Sequence, residues 1–356
     1  MYSRRETVSA ILACAATACG VPMAALSSNS SPGHSVPFGA AVRPDLLVSD
    51  PDYKKALVAN CDMLVPEGGM LWANIRPAPD VFDFDEADRV ATFASANDLQ
   101  LRGHTLAWYA AMPSWTEGIE TATEAERELT THIRRVVGRY HGRIDSWNVV
   151  NEPLVDDPSG PDDLRASIWQ RRLGAGHIAL AFRAAHAADP DCQLVINEYD
   201  IEFEGPRYRR KRAAFAELIR ALVKSGAPLH GVGIQGHLKS ELAIDRVGLA
   251  DFARDMRMLG LAVLVTELDV IDNKLPRDIA ARDAAAAACV RALLSAICEG
   301  APLSAILSWG ITDKFTWVPM YFKRDDGAPN RPLPLDASYE PKPIMNVISE
   351  FRHPRV

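Results

Sequence analysis

The sequence is poor in several features at once. Only six of its 356 residues are cysteine, too few for a disulfide scaffold. Its 22 Gly and 24 Pro are scattered, which excludes a collagen-like repeat. Basic residues are outnumbered, with 39 Lys and Arg against 46 Asp and Glu for a formal charge of -7. The acidic residues are spread rather than blocked, which argues against nucleic acid or an anionic membrane as the main partner. After residue 18 no apolar run is long enough to span a bilayer. The cysteine spacing matches no zinc site. What is present, 48% hydrophobic and 24% charged residues, describes a globular chain with a sizeable core, either two medium domains or one large barrel.

The first residues read as a targeting segment. Tyr2-Ser3-Arg4-Arg5-Glu6-Thr7 precedes the apolar run 8–18, the pattern of an export signal with the paired arginines of the twin-arginine route. A frayed tail or an apolar anchor helix is the plainer alternative. We take residues 1–26 as the signal, with Met23-Ala24-Ala25 offering a cleavage site, 27–35 as a flexible spacer and 36–356 as a single catalytic domain. The expected location is exported, periplasmic or secreted. A lipid anchor at Cys19 is a weaker expectation, because the usual Leu of a lipoprotein signal is missing. Of the other cysteines, Cys61 and Cys192 read as buried free thiols. Cys289 and Cys298, nine apart near the end of a helical segment, can pair only if the chain bends between them.

Short apolar or β-branched runs alternate with stretches of helical period, the signature of repeated β-α units. Predicted strands cover 37–42, 61–66, 100–105, 145–150, 193–197, 231–236, 262–266 and 304–308. Helical segments cover 85–97, 124–140, 178–188, 207–225, 244–259 and 277–299, with 342–351 as the closing helix. Eight strands, each followed by a helix, predict an α/β chain folded as a (β/α)8 TIM barrel of about 320 residues. A doubly wound open sheet is disfavoured, because no Gly-rich phosphate loop follows the first strand.

In such a barrel chemistry sits where strands end at the C-terminal face. The ends here are Gly103-His104-Thr105-Leu106-Ala107-Trp108, Trp147-Asn148-Val149-Val150-Asn151-Glu152-Pro153, Asn197-Glu198-Tyr199-Asp200, Gln235-Gly236-His237, Thr266-Glu267-Leu268-Asp269 and Trp309-Gly310. One polar strand end means little. Six carrying carboxylates, amides, imidazoles and indoles point to a sugar site.

Glu152 and Glu267 end the fourth and seventh strands, on opposite sides of an eight-strand ring. Two carboxyls about 5–5.5 Å apart support a retaining glycosidase, one as acid/base and the other as nucleophile. A single glutamate is usually a solvated loop carboxylate, but this pair has Asn151 beside it to hold a sugar 2-hydroxyl. His237, oriented by Asp269, is placed to keep Glu267 ionised. A histidine alone is more often structural. Trp108, Trp309 and Trp317 fit as walls on which sugar faces stack, although tryptophan is usually core.

At these residues the chain resembles glycoside hydrolase family 10, the endo-β-1,4-xylanases. The resemblance runs from about Phe38 to Phe351 and rests on G-H-T-L-A-W at 103–108, W-N-V-V-N-E at 147–152, G-I-Q-G-H-L at 233–238, T-E-L-D at 266–269 and W-G-I-T-D-K at 309–314. It implies retaining hydrolysis of internal β-1,4 linkages, with Glu152 as acid/base and Glu267 as nucleophile. No metal or other cofactor is implied. It also implies that His104, Trp108, Asn151, Gln235, His237 and Trp309 line the -1 sugar, with Asn197, Tyr199 and Trp317 towards the leaving group. The implied partner is a β-1,4-linked polysaccharide or oligosaccharide, with no nucleic acid and no protein partner, and the chain is expected to act as a monomer.

The sequence departs from the family on the non-reducing side. The family's E-N-E-M-K-W reads Glu67-Gly68-Gly69-Met70-Leu71-Trp72, so Glu67 remains for substrate while an Asn and a Lys become Gly68 and Leu71. A subsite Gln becomes Ala111, and N-D-Y-N reads N-E-Y-D. These changes keep open the same chemistry on a glucose-containing backbone or a bacterial exopolysaccharide. Two readings of other classes are an inactive glycan-binding barrel, against which the retained carboxylates speak, and a lipid-anchored structural protein resting only on Cys19.

Overall fold

The computed structural model describes residues 35–353; the expected signal, nearly all of the spacer and Cys19 lie outside them. The strands are β1 (Phe38–Val42), β2 (Met63–Pro66), β3 (Gln100–Ala107), β4 (Ser146–Asn151), β5 (Gln193–Glu198), β6 (Gly231–Ile234), β7 (His237–Lys239), β8 (Ala262–Ile271) and β9 (Leu303–Ser308). All pair in parallel, each with its sequence neighbour from β1 to β6. β8 then pairs with β6 and β9, and β9 returns to β1. The sheet therefore closes as a (β/α)8 barrel, whose eight staves begin at the eight predicted runs.

The ninth strand is a continuation. After β6 the chain turns at Gly236, φ +76°, and resumes as β7 against the far half of β8, with His237 opposite Asp269. β8 is ten residues long, long enough to hold β6 and β7 in succession. This places the imidazole of His237 at the C-terminal mouth.

Helices α1 (Pro51–Asn60), α2 (Asp85–Ala96), α3 (Ala122–Arg139), α4 (Gly176–Ala188), α5 (Pro206–Lys224), α6 (Arg246–Met258), α7 (Ile279–Gly300) and α8 (Pro343–Arg352) surround the sheet. Their starts are chemically marked. Asp50 accepts from the amides of Asp52 and Tyr53 ahead of Pro51, and Thr121 accepts from the Glu124 amide while Glu124 accepts from that of Glu120. Asp50 and Thr121 are N-caps that satisfy free amides of the first turn, while Glu124 reaches back to the residue before the cap. α1 buries only Tyr53, Ala56 and Leu57, so its stripe is faint in the sequence. α7 runs unbroken through Cys289 and Cys298. Nine residues of helix separate them by about 13 Å at 1.5 Å per residue, beyond disulfide reach. All four described cysteines are free, with Cys61 and Cys192 buried.

Period-two alternation divides the apolar residues between two cores. Phe38, Ala40 and Val42 of β1 face the helices. Ala41 of β1 joins Met63, Val65, Val195, Leu264, Ala305 and Leu307 inside the barrel. Gly103 is required by close approach, since a Cβ there would lie 2.1 Å from the Trp147 ring. Long loops cover the C-terminal face. The one between β9 and α8 is fixed by buried ion pairs, Arg331 with Asp283 at 2.8 and 2.7 Å and Lys342 with Asp313 at 2.9 Å.

Candidate active site

Glu152 follows β4 directly and has φ +52°. A non-glycine residue in this left-handed region costs of order 1–3 kcal/mol and persists only where its surroundings hold it. Those surroundings are dense. Trp108 Nε1 donates to Glu152 Oε2 at 2.9 Å, while Gln235 Nε2 and Asn151 Nδ2 donate to Oε1 at 2.9 and 3.2 Å. The residue is only 9% exposed.

Glu267, in β8, is 5% exposed and receives one partner on each oxygen. Asn197 Nδ2 donates to Oε1 at 2.7 Å, and His237 Nε2 lies 3.2 Å from Oε2. His237 Nδ1 lies 3.0 Å from Asp269 Oδ1, whose other oxygen accepts from Trp317 Nε1 at 2.7 Å. Trp317, Asp269, His237 and Glu267 thus form one chain of contacts.

Amides join the two carboxyls. Asn151 Oδ1 accepts from Asn197 Nδ2 at 2.9 Å and from Asn148 Nδ2 at 2.8 Å. Thr266 Oγ1 donates to Asn197 Oδ1 at 2.6 Å, which fixes the orientation of that amide. A Cβ on Gly233 would lie 2.1 Å from Asn197 Oδ1, so a glycine in β6 leaves room for it.

The electrostatics separate the pair. Burial raises the pKa of Glu152, the nearby Glu267 charge adds to this, and the bonds from Gln235 and Trp108 only partly oppose it. Burial pushes Glu267 the same way, but the bond and charge of His237, with His104 and the Asn197 bond beside it, outweigh burial and hold its pKa below the ordinary value. Burial disfavours the His237 cation, yet Asp269 and Glu267 lift its pKa well above the usual histidine range. His237 therefore sits as an imidazolium between two carboxylates. His104 is the opposite case. Burial takes it down to about 4, so its ring is neutral. Its Nδ1 accepts from Asn148 at 3.1 Å, which leaves the proton on Nε2.

The other predicted residues gather at the same mouth. The Trp309 ring lies 5.0 Å from His104 and 6.4 Å from His237. Glu67 follows β2, and burial raises its carboxyl to about 7, with the charges of Asp45, Asp269 and Glu267 adding to the effect against Arg43. Tyr199 donates its hydroxyl proton to Asp156 and accepts from Arg165 at 2.7 Å. Asn197, expected towards the leaving group, is fully buried, with its amide donated to Asn151 and Glu267.

Sequence reasoning passed over Asn148, Thr266 and Arg165. Asn148 and Asn151 are three apart, which puts them on opposite faces of a regular strand. A register shift between Asn148 and Val150 brings both inward. Their presence in one short motif was the available signal. Among the described residues, no three His, Cys, Asp or Glu side chains gather as metal ligands would.

A (β/α)8 barrel whose mouth holds two buried carboxyls of opposite proton affinity is the arrangement of a glycoside hydrolase. Comparison with known proteins specifies the family. The sequence profile of glycosyl hydrolase family 10 matches residues 28–351. Endo-1,4-beta-xylanase 1 of Humicola insolens is 33% identical over 315 residues, covering 88% of this chain and 70% of that protein. The beta-1,4-xylanase of Dictyoglomus thermophilum is 34% identical over 309 residues, 84% of each chain. The crystal structure of xylanase 10B from Thermotoga petrophila RKU-1 in complex with xylobiose superposes with a TM-score of 0.80 at 30% identity, covering 89% of this chain and 94% of that one. The chain belongs to glycosyl hydrolase family 10, a retaining family, and is a glycoside hydrolase.

Proposed function

We propose that this chain is an exported, monomeric endo-1,4-β-xylanase with Glu152 as acid/base and Glu267 as nucleophile. The observation that carries the roles is the opposed environment of the two carboxyls. Glu152, raised by burial, keeps a proton to give; Glu267, held down by His237 and Asn197, is charged and ready to attack.

Glu152 protonates the departing glycosidic oxygen while Glu267 attacks the anomeric carbon, which gives a covalent glycosyl-enzyme and a free sugar end. Glu152, now a carboxylate, takes a proton from water as that water attacks the same carbon. Glu267 leaves, and configuration is retained after two inversions. The free hydrogen on Asn151 Nδ2 and the Nε2 proton of His104 are donors for sugar hydroxyls. Gln235 holds Glu152, Trp108 and Trp309 offer apolar walls, Glu67 and Tyr199 are polar contacts at the rim, and Trp317 is tied to Asp269.

Xylan is supported by the names of the relatives and by the xylobiose held in a structural neighbour. Export is supported by the charged-then-apolar start of the sequence. The same chemistry on a glucose-containing backbone is favoured by one feature. Gly68 is open, with only Asn74 Nδ2 at 3.9 Å from a built Cβ, and Leu71 and Ala111 present no polar group. The test is incubation with xylans, β-1,4-glucans and exopolysaccharides, with products identified by mass and the first-formed anomer by NMR. Xylo-oligosaccharides released first as the β-anomer support the proposal. Cleavage of glucans alone would move the substrate, and an α-anomer as first product would reject the roles.

A further inference from the structure

Most large apolar side chains that remain exposed stand singly on outer helices, such as Val58 on α1 and Val247 and Met258 on α6. Isolated residues of this kind carry no message. Met320 and Tyr321 differ. They are adjacent, 72% and 73% exposed, on the short helical turn Val318–Tyr321 that begins directly after Trp317.

Their position continues the site. The ring of Trp309 lies 6.4 Å from that of His237, His237 lies 5.2 Å from Trp317, and Trp317 lies 5.9 Å from Tyr321. The rings therefore form a ladder that starts beside Glu267 and ends in solvent. Its outer rung is held in place. Val318 is fully buried, the Phe322 amide donates to Val318 O at 2.8 Å, and buried Asn330 donates to Phe322 O at 3.1 Å and to Asp272 at 2.7 Å. An exposed aromatic ring on rigid backbone is a surface that loses little entropy when a flat apolar face covers it.

We propose that Tyr321, flanked by Met320, is an outer sugar-binding platform that takes one further pyranose unit of a bound β-1,4-linked chain, beyond the sugar over Trp317. The inference rests on the xylan reading above and adds a residue to it. The occupant is the substrate chain itself, because the platform is continuous with the ring ladder of the site. The apolar C–H face of a pyranose packs on the phenyl ring, and the tyrosine hydroxyl stays free for solvent or a sugar hydroxyl.

The experiment compares kcat/KM on xylohexaose and xylotriose for wild type, Tyr321→Ala and Tyr321→Phe. Tyr321→Ala should lower the hexaose-to-triose ratio roughly two- to tenfold, the range for loss of one aromatic contact, mainly through KM. Tyr321→Phe should keep the wild-type ratio. Tyr321 is at the surface, so an unchanged melting temperature should show both variants folded. An unchanged ratio in Tyr321→Ala, with wild type cleaving both oligosaccharides, would overturn the platform and leave the xylan reading intact. Failure of wild type to cleave either oligosaccharide would reject the xylan reading, and the platform with it.

Discussion

Asn197 and Glu267 form the closest contact between the scaffold and the proposed nucleophile, with Asn197 Nδ2 at 2.7 Å from Glu267 Oε1. The same nitrogen reaches Asn151 Oδ1 at 2.9 Å, and Asn151 in turn donates to Glu152. One fully buried amide thus registers the two halves of the site against each other.

Removing that amide should therefore be costly. A hydrogen bond to a charged group contributes about 1.5–3 kcal/mol, so Asn197→Ala should lower kcat roughly 10- to 100-fold. KM should change less, because Asn197 is fully buried and gives its amide to Asn151 and Glu267. Steady-state kinetics on an aryl xylobioside would check this; an unchanged kcat would mean that Asn197 only fills space.

The pH profile should be bell-shaped, and its limbs should move separately. Activity needs Glu267 ionised, so it falls as pH drops through that group's lowered pKa. It needs Glu152 protonated, so it falls as pH rises through that group's raised pKa. His237→Asn removes a cation and a donor from Glu267, burial then prevails, and the acidic limb should move to higher pH. Trp108→Phe removes a donor that favours the Glu152 anion, so the basic limb should move to higher pH. Profiles of kcat/KM with unmoved limbs would refute these assignments.

Two glycines should respond oppositely to alanine. Gly103→Ala drives a methyl into the Trp147 ring, and overpacking of this kind costs about 1–3 kcal/mol. Gly138, in α3, has nothing within 4 Å of a built Cβ, so Gly138→Ala should stabilise by roughly 0.4–1 kcal/mol through the unfolded chain. Urea unfolding of both variants measures the contrast.

The eight barrel strands and both carboxyls were legible because each rests on a local pattern. Apolar runs mark the strands, and Glu152 and Glu267 fall where those runs stop. What escaped depends on partners remote in sequence. β7 is three residues long and exists because β8 extends beside it. Asn148 turns inward through a register shift, and Asn197 is identified as an orienting group only by its contacts with Asn151 and Glu267. The ion pairs of the β9–α8 loop join Asp283 to Arg331 across 48 residues, a pairing that no local motif announces.

Specificity should be movable. Gly68 has φ +83°, a region that Asn tolerates better than other side chains, and Leu71 has ordinary extended backbone, φ -73° and ψ 152°. Gly68→Asn, Leu71→Lys and Ala111→Gln together should raise activity on xylan and depress any on a glucose-based polymer. Each restored neutral hydrogen bond is worth about 0.5–1.5 kcal/mol and a charged one roughly 1.5–3. Initial rates on the two polymers test this; equal rates before and after would mean that other residues already fill these positions.

The central claim, Glu267 as nucleophile and Glu152 as acid/base, is tested most directly by azide rescue with an activated aryl β-xylobioside. Glu267→Ala should be inactive alone and regain turnover with azide, which attacks the face Glu267 vacated and gives the α-glycosyl azide. Glu152→Ala should keep its covalent intermediate and yield the β-glycosyl azide instead. NMR of the products decides between them. Wild-type activity in Glu267→Ala, or an α-azide from Glu152→Ala, would contradict the assignment.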